Sequence, residues 1–270
     1  SGPSLLIRLS DIISSAMYRL HPDMEGTDLY PVRIDRKSLK PGTVLYDPNG
    51  HLAIVYKVED DGRVLFMDAH PDNSLTRGTY GKKFVRSSPG MGAGFKNWRP
   101  IRLVGASKTP DGTLIGGHVE FAKNAEIGDF STEQFFGNAS RPADREWASG
   151  TFTLDGQVVD YYDYVRAKMG GGSLTFEPIQ EVRNMVRANC EDIRYRAEAV
   201  DLAIRAGVQN KAHPSRLPSN IYGTEGEWEE FSTPSRDARL KTSFKELRDQ
   251  VQRFVEWRNS GDRRIKYEGT

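Results

Sequence analysis

The stretch from Pro41 to Asp72, PGTVLYDPNGHLAIVYKVEDDGRVLFMDAHPD, constrains the fold more than any other part of the chain. Within His51 to Val58, the residues Leu52, Ile54, Tyr56 and Val58 alternate with His51, Ala53, Val55 and Lys57. Within Arg63 to His70, the residues Leu65, Met67 and Ala69 alternate with Val64, Phe66, Asp68 and His70. A period of two belongs to strands, so the two runs predict a β-hairpin with one apolar face and one mixed face. Glu59-Asp60-Asp61-Gly62 reads as its four-residue turn, with Gly62 free to take a positive φ, and sets Val58 against Arg63. Counting back, Tyr56 meets Leu65, Ile54 meets Met67, Ala53 meets Asp68 and His51 meets His70. A slip by one residue would send one apolar row to the other face.

That register gathers His51, Asp68 and His70 on one face, where directly opposed Cβ atoms stand about 5 Å apart. A histidine beside a carboxylate is the base and orienting group of a nucleophilic catalytic site. The same residues with Asp72 could instead converge as nitrogen and oxygen ligands on a metal such as zinc. The plainest alternative is a polar sheet face, with Asp72 merely turning the chain.

The 270 residues suffice for one large domain or two smaller ones. Lys and Arg total 38 against 37 for Asp and Glu, so the net charge of +1 gives no reason to expect nucleic acid or an anionic membrane as the main partner. No apolar run approaches the ~20 residues of a membrane span. The chain opens SGPSLLIRLS without an initiating Met and is expected to be a piece of a longer polypeptide. A single cysteine, Cys190, excludes an internal disulfide framework and a Cys-based zinc site.

Three segments are expected: an α+β core over 1–104, an irregular connection over 105–172, and a helical region over 173–270. In the first, residues 4 to 20 carry apolar side chains at helical spacing, Tyr30 to Ile34 and Thr43 to Tyr46 read as strands, and Phe95 to Val104 reads as one strand despite Pro100. The glycine-rich loop Ser88 to Gly94 is followed by strand residues rather than a helix, which argues against a phosphate cradle. In the second, Ser131 to Phe136 and Val158 to Lys168 read as short helices, and Gly170 to Gly172 as a boundary. In the third, Ile179, Val182, Val186, Cys190, Ile193, Ala197, Val200 and Ile204 form one apolar helical stripe ending at Gly207. A last helix is expected from Pro234, capped by Thr233, with a frayed charged tail after Gly261. His21 reads as a polar residue at a helix C-terminus, and His118 and His213 as loop residues.

The hairpin sequence PGTVLYDPNGHLAIVYKV, continued by GRVLFMDAH, resembles the core of the NlpC-like and CHAP cysteine peptidases over about 30 residues. The resemblance implies a papain-like α+β core with a small antiparallel sheet packed on helices, and a thiol peptidase or amidase acting on cell-wall peptides outside the cytoplasm. It implies His51 as general base, with Asp68 or His70 orienting its imidazole, and no cofactor. The family's nucleophile is a cysteine at a helix N-terminus, where the dipole lowers its pKa. It is expected either upstream of residue 1 or, in a permuted arrangement, at Cys190, with Asn189 capping a helix that begins there and Asp192 in its first turn. The competing expectation is a non-catalytic module whose long helices dock a partner, with Cys190 as a small core hydrophobe.

Overall fold

A computed structural model describes residues 15–48, 50–70, 74–216 and 234–267, together with Ser4, Leu5, Arg8, Glu227 and Phe231. The chain is α+β, with antiparallel sheets and a helical C-terminal region. It divides into two interleaved units, 1–56 with 86–165 and 57–85 with 166–270, rather than at the expected boundaries of 104 and 172. Among the described residues, no helix is long and apolar enough to cross a membrane.

The strands run in chain order as β1 (Leu29–Pro31), β2 (Val44–Tyr46), β3 (Leu52–Val58), β4 (Val64–Ala69), β5 (Leu75–Thr79), β6 (Gly94–Trp98), β7 (Ile101–Lys108) and β8 (Leu114–Phe121). They are followed by the short helix α1 (Glu133–Phe136), the strands β9 (Phe152–Leu154) and β10 (Gln157–Val159), and the helices α2 (Tyr161–Met169), α3 (Pro178–Arg205) and α4 (Pro234–Ser260). In the first unit β6 lies between β1 and β2, and β2 pairs with β3, so that Leu45 stands between Phe95 and Ala53. All three are buried apolar residues.

Gln134 on α1 is the clamp of this sheet. Its Oε1 accepts from the Phe95 backbone N–H at 2.8 Å, and its Nε2 donates to the Phe95 carbonyl at 2.8 Å. A primary amide serves both backbone groups of a buried strand residue; the Phe95 carbonyl also accepts from the Val32 N–H at 3.3 Å, so an apolar side chain at 134 would remove the partner of the Phe95 N–H, at about 1–3 kcal/mol. Glu133 holds the same helix, accepting from the Ile34 N–H at 2.7 Å and the Tyr164 hydroxyl at 2.8 Å. The glycine-rich loop is a tight turn, with the Met91 N–H donating to the Ser88 carbonyl at 3.2 Å.

The strand expected over Phe95 to Val104 is two strands, β6 and β7, broken at Arg99 and Pro100. Proline has no N–H to give a ladder, and the buried Arg99 guanidinium instead donates to the carbonyls of Thr27 and Ala122, each at 2.8 Å. The connection expected after residue 104 contains a ribbon, β7 paired with β8, closed by the Gly112 N–H donating to Thr109 at 2.9 Å. Nearly every ribbon residue is exposed, so no buried face imprints an apolar alternation on its sequence.

Strand β3 continues past Tyr56 into the second unit and its turn. There Gly62 takes φ +87°, its N–H donates to the Glu59 carbonyl at 3.0 Å, and the Glu59 N–H donates to Arg63 at 2.9 Å. Glu59 rather than Val58 therefore faces Arg63; the left-handed glycine takes up the extra residue as a bulge. No side chain fits at 62, because a Cβ there would strike the Arg166 carbonyl. The buried face is also the opposite of the evenly apolar one: Ala53, Val55, Val64, Phe66 and Asp68 are buried, whereas Ile54 is exposed.

Helix α3 begins with Pro178 at its first turn and gives way to left-handed Gly207 at φ +73°. Its expected apolar stripe faces solvent: Ile179, Val186, Cys190, Ile193, Ala197, Val200 and Ile204 are all exposed, while Asn189 and Ala199 are buried. The tail after Gly261 is docked rather than frayed as far as residue 267. The Phe176 N–H donates to the Arg264 carbonyl at 2.8 Å, Lys266 N–H donates to Phe176 at 2.9 Å, and the Arg264 guanidinium lies 3.9 Å from the Trp257 ring centre. Most of the helix expected over 4 to 20 lies outside the described residues; among those described, Ser4, Leu5 and Arg8 are helical and Ser15–Tyr18 form a 3-10 turn. The expected cap Thr233 also lies outside them.

Lys96 is almost wholly buried, with its Nζ donating to the Leu20 carbonyl at 3.2 Å. Burial, reinforced by Arg19 and Arg99, pushes its ammonium down from 10.5 to about 8. The folded chain thus releases this proton before the unfolded chain does, and stability rises with pH across that window. The expected outcome for Lys96→Met is a gain of about 1–3 kcal/mol at neutral pH. In urea titrations, the wild-type rise in stability between pH 8 and pH 10.5 should be absent from the variant.

Candidate functional site

The second unit builds its site on the β4 and β5 pair. Opposite Asp68 stands Thr76, and opposite Phe66 stands Gly78. The Phe66 ring lies over Gly78, where any Cβ would fall on the ring itself, and meets Phe84 edge-on at 4.9 Å between centres. This packing fixes the register and so brings the Thr76 hydroxyl onto Asp68.

Thr76 Oγ1 donates to Asp68 Oδ1, and His70 Nε2 lies 2.9 Å from the same Oγ1. A hydroxyl has one proton and two lone pairs. With that proton given to Asp68, Oγ1 accepts from His70, so Nε2 carries the imidazole hydrogen. His70 Nε2 and Asp68 Oδ2 are 3.6 Å apart, and both side chains are largely buried, 9% and 6% exposed. The His70 backbone N–H donates to the Ser74 carbonyl at 3.0 Å, closing the loop between the strands. Asp68, Thr76 and His70 are thus a relay in which carboxylate and imidazole share one hydroxyl.

The relay lines an open cleft whose wall also includes Lys83, Phe84 and Asp192. Asp192, on α3, lies 3.8 Å from Lys83 Nζ. Burial raises its carboxyl above the ordinary value, and the charge of Asp68 adds to this, while Lys83 and Arg239 oppose it. The cleft therefore holds two carboxylates of unlike environment, one hydrogen-bonded and one desolvated, an arrangement that separates acid and base roles.

Of the residues singled out in the sequence, Asp68 and His70 are brought together. His51 stands just before β3 in the first unit, half-buried, its carbonyl accepting from the Asp47 N–H at 2.9 Å. Asp72 lies outside the described residues. Cys190 is in the middle of α3, not at a helix start as expected, and its side chain is exposed. It is absent from the described lining of the cleft, and so is Asn189, which is buried within the helix. Asp192, expected as a first-turn residue of a helix starting at Cys190, lies two residues beyond it, about 200° round the helix, and faces the cleft. Thr76 and Lys83 were missed. Thr76 becomes visible only once Leu75–Thr79 is recognised as a strand, and nothing in the local pattern marks Lys83.

A second acidic cluster lies in the first unit, where His21 Nε2 is 3.0 Å from Asp144 Oδ2 with Asp23 beside them. Arg141 already supplies its counter-charge, donating to Asp23 Oδ1 at 3.0 Å and holding the Asp23 carboxyl below the usual range. The cluster is an ion-pair network and is exposed.

No family model matches the chain, and neither the curated proteins nor the solved structures contain a match to it.

The opposing influences on Asp192 make a signed test. Removing the Lys83 charge by Lys83→Met should raise the Asp192 pKa further, and Asp68→Asn should lower it, each followed by carboxyl-carbon NMR titration.

Proposed function

We propose that the chain carries the proton-handling half of a thiol hydrolase of the NlpC kind, acting on peptide or amide bonds, with cell-wall peptides as substrate class and the periplasm or cell exterior as compartment. The observation that carries this reading is the buried relay from Asp68 through the Thr76 hydroxyl to His70, opening into a cleft. The resemblance of the hairpin sequence to the NlpC-like core supports His51 as the base that this relay serves.

In such a site His51 accepts the proton of a cysteine thiol, and the thiolate sulfur attacks the carbonyl carbon. The imidazolium returns the proton to the leaving nitrogen as the C–N bond breaks, and water, deprotonated by the same imidazole, then cleaves the thioester. Asp68 and His70 would fix the tautomer of the base, and a papain-like core would hold the groups. The place of Cys190, exposed in the middle of a helix and away from the cleft, argues against it as nucleophile. The reading therefore takes the thiol from a cysteine elsewhere in the parent polypeptide.

The test is hydrolysis of cell-wall peptide fragments by the intact polypeptide. His51→Ala should abolish turnover, Asp68→Asn should lower kcat by about 100-fold or more, and Cys190→Ala should leave it unchanged. Undiminished turnover in His51→Ala overturns the assignment of the base, and no turnover by the wild-type polypeptide favours a binding module.

A further inference from the structure

We infer that α3 pairs with α3 of a second copy of this chain, antiparallel and about a two-fold axis near its midpoint, through its exposed apolar stripe. The pairing concerns assembly and rests on no catalytic residue.

One side of α3 packs within its own unit. Asn189 and Ala199 are buried there, and Arg196 donates from Nε to Asp237 Oδ1 on α4 at 2.6 Å. The apolar stripe lies about 100° round the helix from that side, within an arc of about 80°. Ile179, Val186, Ile193, Val200 and Ile204 are each 40–51% exposed, and Cys190 and Ala197 between them are exposed as well. A single exposed isoleucine needs no explanation, but a row of apolar side chains along ~38 Å of helix marks a contact surface.

The spacing tells what fits that surface. From Ile179 through Val182 to Ile204 the stripe steps by three or four residues at a time, about 3.57 residues per turn. Such steps make the seam of a coiled coil, whose side chains seat in the gaps of a facing helix of the same kind. Two consecutive steps of four, meeting at Val186, only unwind the seam locally. The partner is therefore an amphipathic helix of matching period, and α3 itself has that period.

Charge selects a second copy and sets its direction. One exposed flank of the stripe carries Arg183 and Arg187 in the first half of α3 and Glu198 and Asp201 in the second. In an antiparallel pair Ile179 comes level with Ile204 of the second copy, and Val186 with Ala197. Like flanks then meet, so Arg183 falls beside Asp201 and Arg187 beside Glu198, each twice by symmetry. Arg194 and Arg205, on the same flank, fall opposite the uncharged Cys190 and Gln180. A parallel pair would instead bring Arg183 and Arg187 level with their own copies. Exposed ion pairs add little attraction, so the stripe supplies the affinity and the flank fixes the direction.

The test is sedimentation equilibrium of the full chain over a range of concentrations, with cross-linking to read the direction. A dimer with a dissociation constant of about 10 μM or below is expected. Ile193→Glu should weaken it by about 100-fold or more and leave the far-UV circular dichroism spectrum unchanged, because that side chain is exposed in the fold. Arg183→Asp should weaken it about tenfold, and adding Asp201→Arg should restore it, a rescue that a folding defect would not show. Lys245→Gln, an exposed lysine on α4 paired with Asp249, should leave association unchanged. In a Cys190→Ser background, a short bismaleimide should join Ile179→Cys chains to Ile204→Cys chains when the two are mixed, and neither to itself. A chain that stays monomeric overturns the inference: if Cys190 then reacts quickly with a maleimide the stripe is bare, and if slowly another segment of this chain covers it. A dimer that cross-links Ile179→Cys chains to one another, or that Ile193→Glu leaves intact, overturns it as well.

Discussion

A carboxylate taken out of water has to be given hydrogen-bond donors, and the second unit is arranged around that need at Asp68. Burying an ion costs several kcal/mol unless partners replace its hydration. Thr76 supplies the first donor from the neighbouring strand, and His70 completes the relay. Both depend on the pairing of β4 with β5: a slip by one residue would set Leu75 or Arg77 opposite Asp68 and lift the Phe66 ring off Gly78. One register satisfies an electrostatic demand and a packing demand together, which makes it unique without a long sheet.

The same unit fixes the turn that leads into β4. Gly62 meets the Arg166 carbonyl so closely that only glycine fits, and Arg166 in turn donates to both oxygens of Glu181, each at 3.0 Å. The start of α3 is thereby tied to the hairpin turn. Further along, α3 carries Asp192 to the cleft and α4 carries Arg239, while the β5 to β6 connection brings Lys83, with the Lys82 N–H donating to Glu246 on α4 at 2.9 Å. The cleft is thus assembled from segments distant in sequence, each held by its own contacts, and the chemistry falls where they meet.

Much of this was legible in the sequence where one face is buried and the other is not. The alternation over 51 to 70 located β3 and β4, the helical spacing from 178 onward located α3, and Gly62 and Gly207 marked a turn and a helix end through their positive φ. What stayed hidden has physical reasons. The β7 and β8 ribbon is exposed on both sides and leaves no periodic trace. The apolar residues of α3 face solvent, so the stripe that located the helix misstated which side is packed, and Cys190 with it. Asp68 and His70 could be named because they share a strand end. Thr76 and Lys83 could not, and Asp192 could be placed only beside Cys190 rather than beside Asp68, because their meeting is tertiary.

The central claim is that the buried relay serves a base that activates a thiol. Its most direct test is alkylation of the intact polypeptide with a limiting amount of a peptidyl chloromethyl ketone, followed by mass-spectrometric mapping of the modified residue. The account predicts rapid labelling of one cysteine other than Cys190, lost in His51→Ala. Preferential labelling of Cys190, or labelling that His51→Ala leaves intact, would contradict it.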